Sequence, residues 1–164
     1  MKRTLIIYGT RKGTTEMTAR VIAEILILKH GHDVELTSIG RIRRYRRHLD
    51  EFNNLVVGTS IISGRWVRRV LRFLKRHTFD NQQVALFVTA GNTLNKAVKN
   101  EIPKHEAVQE AIQNYIDMHL NEFMFEPVSK MAFGGILKRG EKKFNSWNRE
   151  DIEAWAVHLG NILN

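Results

Sequence analysis

Apolar residues in this chain fall into short unbroken runs, separated by longer stretches where they recur every three to four positions. The runs occupy residues 3–8 (Leu5-Ile6-Ile7-Tyr8 at their centre), 55–58 and 84–88. Four or five apolar residues with no polar alternation predict strands buried on both faces, and so a parallel sheet covered by helices. Residues 33–37 form a shorter second strand, and residues 128–133 a fifth that is more polar than a central strand.

The intervening stretches carry helical spacing. Met17, Val21, Ile22, Ile25 and Leu26 follow the first strand. Residues 66–77 set Val67, Val70, Leu71 and Leu74 on one face, and residues 104–121 turn Val108, Ala111, Ile112, Tyr115, Ile116 and Leu120 inward. A last helix starts near Asn148, a candidate N-cap, and buries Ile152, Trp155, Ala156 and Leu159. Strand–helix alternation over 164 residues predicts one domain, residues 1–164. Its fold class is α/β: a doubly wound, five-stranded parallel sheet in three layers, with strand order 2-1-3-4-5. Residues 136–146 carry Lys138, Arg139, Lys142 and Lys143 and show no helical period, so they are the expected mobile piece.

In that topology ligands sit at the carboxyl ends of strands one, three and four. The first of these loops is Gly9-Thr10-Arg11-Lys12-Gly13-Thr14-Thr15, which runs into a helix. First-turn N–H groups lack intrahelical partners and the helix dipole favours negative charge, so the turn is a candidate phosphate site. It is neither G-x-x-x-x-G-K-[ST] nor G-x-G-x-x-G. Hydroxyls at Thr10, Thr14 and Thr15, close backbone approach at Gly13 and charge from Arg11 and Lys12 suit a terminal monophosphate ester such as that of FMN. The plainer alternative is that the threonines only cap the helix.

The second loop is Thr59-Ser60-Ile61-Ile62-Ser63-Gly64-Arg65-Trp66, and the third is Thr89-Ala90-Gly91-Asn92-Thr93. Small polar residues beside isoleucines suit a flat heterocycle with a polar edge. Ser60, Ile61, Ile62, Gly64, Ala90, Gly91 and Asn92 are the expected ring frame. Trp66 either stacks on that ring or starts the next helix and packs on the protein.

Residues 8–15 and the segment Val56-Val57-Gly58-Thr59-Ser60-Ile61-Ile62-Ser63-Gly64 resemble two motifs of the flavodoxin-domain family. Within it they are most similar to the branch containing menaquinone-dependent protoporphyrinogen IX dehydrogenase, with its T-R-x-G-x-T and V-x-G-x-S-I-x-x-G patterns. The resemblance covers about residues 3–133 and, more loosely, the last helix. It implies a flavodoxin-like fold, FMN as cofactor, and redox chemistry carried by the flavin with no protein acid or base strictly required. Two departures matter. Lys12 stands where short flavodoxin loops have a hydroxyl residue. Residues 134–147 are shorter than the basic, apolar stretch of the dehydrogenase, which argues against full quinone coupling. Two other functions remain open: a non-enzymatic electron carrier, and a binding module of this fold that has lost its cofactor.

Charge changes the partner list. The chain has 26 Lys and Arg against 17 Asp and Glu, a net +9, which attracts anionic molecules. Arg41, Arg43, Arg44, Arg46, Arg47 and His48 cluster after strand two, and Arg65, Arg68, Arg69, Arg72, Lys75 and Arg76 form a helical stripe. Ordinary flavodoxins are typically acidic carriers, so this rim favours an anionic small-molecule substrate, an acidic redox partner or peripheral contact with an anionic membrane. Nucleic acid is a poorer fit, because aromatics do not interleave with the basic residues. With no cysteine there is no disulfide, thiolate nucleophile or iron–sulfur ligation, and the histidines lack metal-ligand spacing. No apolar run nears the roughly 20 residues of a membrane span, and the N-terminus enters a strand at once. The expected location is the cytoplasm.

Overall fold

Period-two alternation in the central strands sends successive side chains into two different cores. In the computed structural model, which describes every residue except Asn92, Thr93, Asn95, Lys96, Val98, Asn164 and the side chain of Arg139, these strands are β1 (Arg3–Gly9), β3 (Asn54–Ser60) and β4 (Gln83–Thr89). Leu5, Ile7, Leu55, Val57, Val84, Leu86 and Val88 point to one face. Ile6, Tyr8, Val56, Ala85 and Phe87 point to the other. Both faces are dry, which is why these runs show no polar alternation. The edge strands β2 (Asp33–Ser38) and β5 (Ser129–Phe133) complete a parallel sheet of order β2-β1-β3-β4-β5, as the sequence predicted.

Helices α1 (Thr14–His30) and α4 (Arg149–Ile162) cover one face, where Ile22, Leu26, Ile152 and Leu159 are wholly buried. Each such aliphatic side chain contributes about 1.5–3 kcal/mol of burial. On the other face lie α2 (Arg68–Lys75) and α3 (Lys104–Tyr115), with Val70, Leu74, Ala111 and Ile112 in the core. Asn148 caps α4 by accepting from the N–H groups of Glu150 and Asp151. Among the described residues no helix is long and apolar enough to cross a membrane.

Local details differ from, or add to, the sequence reading at five places. Met17 is exposed rather than inward, because its position on α1 faces away from the sheet. The stretch expected to be helical over 66–77 becomes an α-helix only at Arg68, after an extended Val67. The 104–121 stretch is α-helical to Tyr115 and then tightens into a 3-10 segment, Asp117–Glu122. The Arg41–Arg47 cluster lies on another 3-10 segment, Ile39–Tyr45, and just beyond it. Residues 136–146, expected to be mobile, fold into an antiparallel hairpin, β6 (Ile136–Arg139) and β7 (Lys142–Asn145).

His32 gives the fold a pH dependence. It is 4% exposed, its Nδ1 pairs with the Thr4 hydroxyl at 2.8 Å, and its Nε2 has no partner among the described residues. Burial, then the electrostatic influence of neighbouring Lys2 and His30, hold its pKa below the ordinary histidine value. The folded state therefore resists a proton that the unfolded chain accepts. Stability is full above about pH 6.5 and falls as pH drops from there through the folded pKa, by at most about 1.4 kcal/mol per pH unit for one proton. Urea midpoints measured between pH 7 and 5 should show this loss, and His32→Gln should flatten it. Equal slopes for the two proteins would assign the loss to other groups.

Candidate functional site

The strand order reverses between β1 and β3, so the loops leaving them part and open a cleft at the carboxyl edge of the sheet. Thr10, Lys12, Thr14, Ser60, Ile61, Ile62, Thr89 and Gly91 line it, together with Gly135, Ile136 and Leu137 from the base of the β6–β7 hairpin. Three loops singled out in the sequence do converge here.

The first loop is built to leave α1 uncapped. The Thr10 hydroxyl accepts the Gly13 N–H at 2.8 Å and closes the turn. Gly13 then takes a left-handed conformation (φ 90°) that a side chain would strain, and no side chain caps the helix. The threonines therefore do not act as helix caps, and the first-turn donors stay available to a ligand. Thr15 lies beneath this turn, wholly buried, with its hydroxyl 2.8 Å from that of Thr89. That bond ties the start of α1 to the end of β4. Arg11 turns away from the cleft and donates to the carbonyls of Arg65 (3.0 Å) and Trp66 (2.7 Å). It braces the second loop against the first.

That second loop holds its own shape. Ile62 and Arg65 exchange two backbone hydrogen bonds, at 3.1 and 3.0 Å, around Ser63 and Gly64. Both of these have positive φ, 52° and 75°, the signature of a type I′ turn. Gly64 thus serves the turn and does not line the cleft. Trp66 is in the core: it is 6% exposed, and its indole N–H donates to the Tyr115 carbonyl. Of the two readings of Trp66, packing on the protein holds. Ser60 ends β3 with a buried hydroxyl that has no hydrogen-bond partner among the described residues. A buried donor without an acceptor is unfavourable by about 1–3 kcal/mol, so this group fits a ligand's polar edge.

From the third loop, Gly91 lines the cleft, Ala90 is buried with its N–H on the Phe133 carbonyl, and Asn92 lies outside the described residues. The Ser146 hydroxyl at the hairpin base donates to the Gly91 carbonyl at 3.3 Å, and Leu137 Cβ sits 3.3 Å from where a Gly91 Cβ would stand. The hairpin thus covers the cleft and reduces it to about 40 Å³. Small-molecule sites are typically about 300–1,000 Å³. The space holds a phosphate-sized group and not a three-ring system. The sequence hid this cover, because four cations mask the strand alternation; the Gly140 turn (φ 61°) was the available signal.

A larger cavity, about 670 Å³, lies between α3, β5 and α4. Its walls are largely apolar, with the Lys104–Asp151 ion pair (2.6 Å) and the side chains of His105, Gln109 and His158 as its polar groups, and it lies away from the three loops at the carboxyl edge of the sheet.

A family model described as a flavodoxin domain matches residues 5–157. Among solved structures, the chain is similar to oxidised flavodoxin 1 from Bacillus cereus, at 16% identity over 99% of this chain and 100% of that one, TM-score 0.61. It is also similar to a Fusobacterium nucleatum flavodoxin bound to flavin mononucleotide, at 15% identity over the whole of both chains, TM-score 0.57. Rubredoxin oxygen:oxidoreductase from Desulfovibrio gigas matches over 98% of this chain at 15% identity, TM-score 0.62. The chain spans only 36% of that protein's length. No curated protein matches the sequence.

Proposed function

The chain belongs to the flavodoxin-domain family, and from that premise we propose that it is an FMN-binding redox protein whose cleft serves an anionic small-molecule substrate. The observation that carries the cofactor is the uncapped α1 N-terminus facing the same cleft as the partnerless Ser60 hydroxyl. Thr10, Lys12, Thr14 and the first-turn N–H groups would hold the phosphate. Ser60, Ile61, Ile62 and Gly91 would border the ring, and the hairpin residues would have to draw back to admit it. Bound FMN supplies the electron-accepting and electron-donating chemistry. The protein's part is to orient the ring, exclude water with Ile61, Ile62, Ile136 and Leu137, and present the charge of Lys12.

Lys12 at the cleft and the chain's net charge of +9, together with the motif resemblance at residues 10–15 and 56–64, support a carboxylate-bearing substrate of the protoporphyrinogen kind. A carrier that exchanges electrons with an acidic protein partner is the second reading, and the flavodoxin neighbours favour it. Anaerobic mixing separates them. If the substrate reading holds, protoporphyrinogen IX bleaches the oxidised-flavin absorption band of the purified protein. No bleaching by the porphyrinogen, with rapid bleaching by a flavoprotein reductase, would establish the carrier. Protein that neither carries nor takes up FMN would refute both.

A further inference from the structure

Two rows of arginines face each other across a groove that shares no lining residue with the cleft. Arg69, Arg72 and Arg76 stand at i, i+3 and i+7 on one side of α2 and its C-cap. Arg43 and Arg46 stand three apart on the 3-10 segment and its C-cap, a spacing that stacks side chains at three residues per turn. The rows meet: the Arg69 guanidinium lies against Gly40, with Nη1 3.5 Å from where a Cβ would sit. Ile39, Ile42 and Phe73, each 7% exposed, make an apolar floor, and the recess encloses about 280 Å³.

None of these five arginines forms an ion pair among the described residues. Arginines away from the groove do form ion pairs: Arg3 holds Asp33, Glu35 and Glu51, Arg20 holds Glu16, and Arg149 holds Glu24 and Glu153. Arginine stays charged at any physiological pH, so the five repel one another where they converge. From this convergence we propose that the groove is a binding site for a compact anion carrying several clustered phosphate groups.

The chemistry favours that class. Guanidinium forks match phosphate oxygens two at a time. The groove walls offer five such forks, and no carboxylate among the described residues lines them to repel the ligand. The volume sits at the small end of ligand pockets, so the anion is dense rather than long. A single-stranded nucleic acid would need exposed aromatic platforms, but Phe73 is buried and His77 stacks on Phe79. A flat acidic protein face would not enter a recess. This site stands independently of the flavin reading.

The probe is inorganic tripolyphosphate, titrated at low salt with and without added FMN. Tripolyphosphate should bind wild type at least tenfold more tightly than the Arg46→Glu/Arg72→Glu variant, whether or not FMN is present. Arg46→Lys/Arg72→Lys keeps the charge but loses the forks, and should bind with intermediate affinity. Lys142→Glu/Lys143→Glu makes the same change in net charge on the hairpin and should alter the affinity less than twofold. If the hairpin reversal weakens binding as much as the groove reversal, or if sulfate at matched ionic strength binds as tightly as tripolyphosphate, the proposal fails. Vesicles identify the source. Retention on vesicles bearing a polyphosphorylated inositol lipid, displaced by tripolyphosphate and lost in the groove variant, assigns a lipid headgroup. Binding of tripolyphosphate without such retention assigns a soluble phosphate. Equal retention of wild type and groove variant on phosphatidylserine vesicles, with no preference for tripolyphosphate in solution, would reduce the groove to diffuse charge.

Discussion

Gly58→Ala should destabilise the protein by about 2–3 kcal/mol, the upper part of the range for overpacking a core. Gly58 lies in the middle of β3, paired with Tyr8 on one side and Phe87 on the other. A Cβ there would stand 2.0 Å from Phe87 Cζ and 2.4 Å from both Cε atoms. The Phe87 ring is wholly buried and has no room to retreat, with Phe133 and Trp155 packed edge-on at 6.0 Å. Relief must come from moving β3 itself, and Ser60 is two residues along that strand. Phe87→Leu should therefore recover part of the loss in the Gly58→Ala background while costing stability on its own, a non-additivity expected of residues in contact. Urea denaturation of the four proteins is the measurement. A Gly58→Ala midpoint indistinguishable from wild type would mean that the ring does not lie over Gly58.

The same residues explain what could be read from the sequence. A strand buried on both faces must be apolar throughout, so the cores of β1, β3 and β4 were visible as runs, and strand order then located the cleft. Side-chain destinations were not visible in this way. Arg11 looks like a phosphate ligand until the Arg65 and Trp66 carbonyls are found within its reach. Trp66 reads either as a ring stacker or as a packing residue until the Tyr115 carbonyl, 49 residues away, takes its indole N–H. Such partners are set by tertiary packing and leave no local pattern. The hairpin escaped for a related reason. Its Lys-rich faces read as a solvated loop, and what orders its base is the contact of Ser146 and Gly135 with the Gly91 loop, a relation between distant segments.

FMN should bind at least about 100-fold more tightly than riboflavin. A hydrogen bond to a charged group contributes about 1.5–3 kcal/mol, so two such bonds from the α1 first turn and Lys12 already give that ratio. Variants divide the site. Lys12→Glu sets a negative charge at the uncapped helix start, so it should weaken FMN by about tenfold or more, the equivalent of about 1.4 kcal/mol or more, and leave riboflavin nearly unchanged. Ser60→Ala removes a hydroxyl assigned to the ring end, so it should weaken both ligands by a similar factor. In the ligand-free protein the same change removes a buried group with no partner, and should raise stability by about 1 kcal/mol or leave it unchanged. Direct titration of both ligands into the three proteins, with urea midpoints for the ligand-free forms, decides the assignment. Equal affinity for FMN and riboflavin would remove the phosphate from the α1 N-terminus. A Ser60→Ala loss confined to FMN would move the serine from the ring end to the phosphate end of the cleft.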